Sequence, residues 1–119
     1  MYGKGSRFEA RAENALQQAG LGTVQRNYRS RFGEIDLIME DGTTLVFIEV
    51  RYRRHSGQGG AAASVGPRKR QRLLRTAALF LAEHSRHAQR PCRFDVVSFD
   101  GPENEARLQW HRAAFETTG

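Results

Sequence analysis

The sequence predicts an α/β fold in which four or five strands form a sheet flanked by two helices. Three observations lead there. Two β-branched runs, Ile35 to Met39 and Leu45 to Val50, flank the dipeptide Asp41-Gly42, whose tolerance of positive φ marks a two-residue hairpin. Apolar residues recur at helical spacing before this hairpin and again after Pro67. Two more strand-like runs, Arg93 to Phe99 and Leu108 to Phe115, follow the second helical segment.

The first helix is expected over Ser6 to Ala19, with Phe8, Ala12, Ala15, Leu16 and Ala19 on one face and Gly20 as its stop. Ser6-Arg7-Phe8-Glu9 reads as a capping box, so the Glu9 carboxylate has a structural task available at the helix start. Thr23 to Tyr28 reads as a strand, and the basic turn Arg29 to Gly33 delivers the chain into the hairpin. After Arg53, the stretch Arg54 to Gly60 is glycine-rich and polar, and is expected to be a mobile loop; it lacks the spacing of a phosphate-cradling motif. Pro67 opens the second helix, which runs to about His84 with Leu73, Leu74, Ala77 and Leu81 inward and Arg68, Arg72 and Arg75 on another face. His84 and His87 lack a second ligand pair at zinc-finger spacing. Ser85 to Pro91 is a polar connection. In the strand after it, Asp95 is expected to pair with a nearby arginine, and Trp110 to pack at the core or an edge.

At 119 residues, one domain over residues 1–119 can build a core without disulfides or metals. No apolar run approaches the ~18 residues of a membrane span, and the first twenty residues alternate charge with alanine, so the expectation is a cytoplasmic protein with no membrane partner. The lone Cys92 is expected to be a buried small apolar residue. A net charge of +6 and a pI near 10.4, above the ~9 that flags nucleic-acid binders, favour a polyanionic partner. Seventeen of the nineteen basic residues are arginine, a skew that codon bias explains as readily as chemistry.

Pairing outward from Asp41-Gly42 sets Asp36 opposite Phe47 and Glu34 opposite Glu49. Alternation then gives Glu34, Asp36, Glu49 and Arg51 one face, and Ile35, Leu37, Val46, Ile48 and Val50 the other. Three carboxylates on one sheet face repel one another. They call for a compensating cation, either the adjacent arginine or a divalent metal that prefers oxygen ligands.

An acidic residue on one strand followed by Glu-x-Arg on the next, in G-E-I-D-L-I and F-I-E-V-R-Y-R, resembles the PD-(D/E)xK nuclease superfamily and its YraN-like bacterial branch; archaeal Holliday junction resolvases are similar. G-K-G near the start, Glu9, Lys69 and R-F-D-V-V fall where that branch has similar residues. The resemblance implies a single nuclease-like domain with a restriction-endonuclease-like core and a mixed sheet. It implies an endonuclease dependent on Mg²⁺ or Mn²⁺ that hydrolyses nucleic acid, with DNA, including branched DNA, as the partner. Asp36 and Glu49 would be the metal ligands, with Arg51, Glu34 and Glu9 completing the catalytic set and Arg53, Arg54, Arg68, Lys69 and Arg72 forming a nucleic-acid-binding rim. Junction-cutting relatives are homodimers, which extends that expectation to this chain.

One residue departs from the pattern: Arg51 stands where the superfamily has lysine. A guanidinium neutralises charge on a phosphate, but with a pKa above ~12 it does not exchange protons readily. Three outcomes stay open. The enzyme is slow, Lys69 takes the role, or the chain binds nucleic acid without cutting it. A reading outside nucleic-acid chemistry also stays open, in which the carboxylates pair with arginines in an adaptor protein.

Overall fold

A computed structural model describes residues 7–54 and 65–115. Its elements are α1 (Arg7–Gln18), β1 (Gly22–Ser30), β2 (Gly33–Asp41), β3 (Thr44–Arg53), α2 (Pro67–Glu83), β4 (Cys92–Asp100) and β5 (Arg107–Phe115), with a 3-10 turn over Ser85–His87 between α2 and β4. The five strands form one sheet in chain order. It is mixed because α2 carries the chain back between β3 and β4, which run parallel, while the other neighbours are antiparallel. This is the α/β architecture expected, and it is consistent with a restriction-endonuclease-like core.

Both faces of the sheet are covered. Phe8, Ala12 and Leu16 of α1 pack on Leu37, Met39, Val46, Ile48, Val97 and Phe99. On the opposite face, Leu73, Ala77 and Phe80 of α2 cover Ile35, Ile38, Leu45, Phe47, Phe94 and Val96. The expected division of the hairpin into one apolar and one acidic side is therefore corrected: α2 buries Ile38, Leu45 and Phe47 on the side assigned to the acids. A parallel strand pair with a crossover helix needs both faces apolar, and this sheet is built that way.

The hairpin register differs from the expected one by two residues. Asp41 pairs with Thr44 and Leu37 with Ile48, so the turn is Gly42-Thr43 rather than Asp41-Gly42. Gly42 has φ of 62° at the first turn position, as a type II′ turn requires. A shift of two keeps every residue on its face but changes its partner: Asp36, not Glu34, stands in line with Glu49.

Alternation also slips once within β2. Ile35 packs beneath α2 while Leu37 packs beneath α1. Between them is Asp36, and across the ladder β1 holds Asn27 at φ 52°, between the pairs Arg26–Leu37 and Tyr28–Ile35. Asparagine is among the few residues that enter the left-handed region at low cost.

Two smaller expectations are met. Asp95, 1% exposed, is bonded by Arg93 Nε at 3.0 Å, by Trp110 Nε1 at 2.9 Å and by the Ala113 amide at 2.9 Å. Trp110 packs half-buried against the α1-side core. Cys92 is half-buried rather than fully buried, packed against the α2-side core, and burial raises its thiol pKa. The capping residue Ser6 and the stretch His55 to Gly60 lie outside the described residues. Among the described residues, no helix is long and apolar enough to cross a membrane.

Candidate active site

Main-chain pairing of β2 with β3 runs from the turn as far as Leu37 and Ile48. One step further, a side chain takes over: the Val50 amide donates to Asp36 Oδ2 at 2.8 Å. The strands thus part around a carboxylate. Asp36 is also within hydrogen-bonding contact of the Glu49 and Glu9 side chains. Glu49, 5% exposed, receives Arg51 Nη1 at 3.2 Å and Lys69 Nζ at 3.4 Å, both on Oε2. Lys69 comes from the first turn of α2, so helix and sheet meet at this carboxylate.

Glu9, in the first turn of α1, reaches the cluster from the other helix. Glu34 sits at its outer edge, paired with Arg29 Nε at 3.2 Å. Between them lies Asn27, whose side-chain amide, turned so that its nitrogen faces the two acids, donates to Glu34 Oε2 at 3.3 Å and to Glu9 Oε1 at 3.1 Å. Sequence reasoning missed Asn27. Its signal was the residue type itself, an asparagine inside a strand, where it is disfavoured unless it serves a bulge or a site.

Crowding of acids sets their protonation. Burial, and after it the Glu49 carboxylate, push Asp36 up to about 8, although part of its surface still reaches solvent. Glu9 is raised as well, first by burial and then by Glu34. At neutral pH the cluster therefore holds a proton at Asp36, and the hydrogen bonds between carboxyl groups depend on it.

A cleft of about 370 Å³ opens beside the acids, walled by Glu34, Lys69 and Arg72 and by Arg31 and Phe32 of the β1–β2 turn. The expected basic residues are not gathered equally around it. Lys69 and Arg72 line this cleft, whereas Arg68 lines a separate groove of about 690 Å³ toward β5, with Arg70 and Phe115. Arg53 ends β3 in register with Asp100, and exposed Arg54 follows it.

The donor set suits a hard cation. It consists of carboxylate oxygens beside main chain, and magnesium-type ions keep several waters while binding through one or two carboxylates. Among the described residues, no three acidic, histidine or cysteine side chains are arranged to hold an ion together. Asp36 and Glu49 are thus the pair with the right chemistry, supported by Glu9.

Comparison with known sequences agrees in one direction. The pattern of the uncharacterised protein family UPF0102 matches residues 8–99. A UPF0102 protein of Stutzerimonas stutzeri is 50% identical over 113 residues, covering 95% of this chain and 94% of the relative. Another, from Pseudomonas fluorescens, is 51% identical over 110 residues, covering 92% and 89%. A third, from Pseudomonas aeruginosa, is 49% identical over 115 residues, covering 95% and 92%.

Proposed function

The chain belongs to the uncharacterised protein family UPF0102, and from that membership together with its acidic cluster we propose that it is an endonuclease, dependent on Mg²⁺ or Mn²⁺, that hydrolyses phosphodiester bonds of DNA. The observation that carries this reading is the meeting of Asp36 and Glu49 where β2 and β3 part, with Lys69 3.4 Å from Glu49. Asp36, Glu49 and the Val50 carbonyl would hold the ion, which supplies Lewis-acid polarisation of the phosphodiester and a bound water of lowered pKa.

The chain's own residues have separate tasks. Asp36, protonated in the metal-free protein, would have to release that proton to hold the ion. Arg51 neutralises charge on the phosphate and orients Glu49 from the same face. Lys69 supplies what a guanidinium lacks: a compact ammonium with three rotatable donors, able to hold the attacking water. Glu34 and Glu9, joined by Asn27, set the outer edge and raise the negative potential at the ligands.

The second reading, a nucleic-acid-binding relative that does not cut, draws on a different feature of the same geometry. Glu49 Oε2 already carries two cationic partners, Arg51 and Lys69, and these neutralise it without a metal. Cleavage separates the two, and Mn²⁺ titration by calorimetry at pH 8 tests the metal site on which the first depends. Binding in the wild type that weakens at least tenfold in both Asp36→Asn and Glu49→Gln, with the fold intact by circular dichroism, is the expected outcome. Equal affinity in all three proteins, or none in any, would reject the metal site.

A further inference from the structure

Phe32 sits at the tip of the β1–β2 turn and belongs to neither core cluster. It is half-buried and faces the cleft beside the acids. Two guanidinium groups stand over it, Arg31 4.9 Å and Arg75 5.9 Å from the ring centroid, and Arg72 lines the same cleft. Among the described residues none of these three arginines has an ion-pair partner, while Arg29 and Lys69 nearby are paired with Glu34 and Glu49. Such a concentration of uncompensated charge around an aromatic ring has no role in the core.

The turn is also held rigidly. The Phe32 amide donates to Ser30 Oγ at 3.0 Å, and Ser30 Oγ lies 3.3 Å from Oγ1 of fully buried Thr76 on α2. Gly33 follows at φ 148°, and a Cβ there would lie 3.8 Å from both Arg72 and Thr76. The ring is thereby presented from a fixed turn pressed onto a helix, and presentation before binding lowers the entropy cost of recognition.

We propose, resting on the nuclease reading above, that Phe32 is a stacking platform for one unpaired nucleotide next to the scissile phosphate, with Arg31, Arg72 and Arg75 receiving the phosphates on either side. A base inside a duplex has both π-faces covered by its neighbours, so the ring selects an overhang, a flap or the open strand of a junction. The base displaces Arg75, the looser of the two ring contacts. The cleft, about 370 Å³, falls within the ~300–1,000 Å³ typical of ligand sites and opens directly onto Lys69, which reaches Glu49. The substrate class that follows is DNA with an unpaired segment at the cut.

The test is fluorescence anisotropy without metal, in EDTA, using a blunt duplex and the same duplex with a single-stranded overhang. Wild type is expected to prefer the overhang. Phe32→Ala should weaken overhang binding about tenfold and leave blunt-duplex binding within about twofold. Phe32→Trp should restore the preference, which separates stacking from damage to the turn. Arg72→Ala should weaken both substrates and lower the salt slope by about one. Equal loss on both substrates in Phe32→Ala, no loss on either, or no preference in wild type would overturn the platform. Cleavage is read separately: Mn²⁺-dependent cutting that ignores Phe32 would overturn the platform and leave the nuclease standing. Stacking without any cutting would support the platform and remove the hydrolase.

Discussion

Asp36 shows how one residue can be costly to the fold and central to the site. Its folded pKa of about 8 lies above the 3.8 of a free aspartate, so the folded state holds a proton that the unfolded state has lost. Stability should therefore fall as pH rises through the window from about 4 to about 8 and level off beyond it. Asp36→Asn mimics the protonated form and removes this term. In denaturant titrations without metal it should match wild type at pH 4 and exceed it on the order of 2–4 kcal/mol at pH 8. A difference that does not change with pH would contradict the assignment. Lys69 and Arg51 divide the work on Glu49. If Lys69 supplies the ammonium, Lys69→Ala should cut Mn²⁺-dependent cleavage at least a hundredfold with Mn²⁺ affinity near wild type, whereas Arg51→Lys should change it less than tenfold. The reverse order, measured on one oligonucleotide, would return the role to position 51. Much of this was legible in the sequence: a D-x-I run and an E-x-R run on either side of a hairpin already put Asp36 near Glu49. Asn27 was not legible, because its value comes from a backbone conformation that nothing adjacent in the chain announces.

At the scale of elements, the hairpin was placed correctly and paired incorrectly, and the cause is local. Asp41-Gly42 reads as the two turn residues, but Gly42 takes the first central position and Thr43 the second. Because the error is even, it changed the opposing residues without itself moving a side chain to the other face. The slip at Asp36, which turns Ile35 toward α2, was beyond reach, since the neighbouring strand supplies Asn27 at φ 52° beside it and nothing within β2 announces that conformation. At the other end of the sheet, Asp95 ties β4 to β5. It satisfies Arg93, Trp110 and the amide of Ala113, the last held at φ 48°. Arg93 also reaches Asp41 at 3.0 Å, and its buried Nη2 has no partner among the described residues. Asp95→Ala leaves the half-buried Arg93 with Asp41 as its acid partner and the Trp110 N–H and Ala113 amide without their acceptor, and should cost about 2–3 kcal/mol with a change in Trp110 fluorescence. Loss of under 1 kcal/mol in chemical denaturation would show that the network is not what holds β5.

Across the whole molecule, acid and base are separated in a way the net charge of +6 hides. Carboxyl groups converge from α1, β2 and β3 where two strands part, and arginines with no ion-pair partner among the described residues stand on the neighbouring turn and on α2. The architecture was legible because each element carries its own period and stop. The distribution of the basic residues was not, since it depends on how α2 is rotated on the sheet: that rotation sends Lys69 and Arg72 to the acids and Arg68 toward β5. A cation-assisted cut at a phosphate held between these two regions is the central claim. The measurement that tests it most directly is cleavage of a labelled DNA carrying a single-stranded branch, by wild type and Asp36→Asn, with Mn²⁺ or with EDTA. The account predicts defined products from wild type with Mn²⁺, none with EDTA, and at least a thousandfold less from Asp36→Asn. Intact DNA in every lane, with Mn²⁺ and DNA both bound by the wild type, would contradict it.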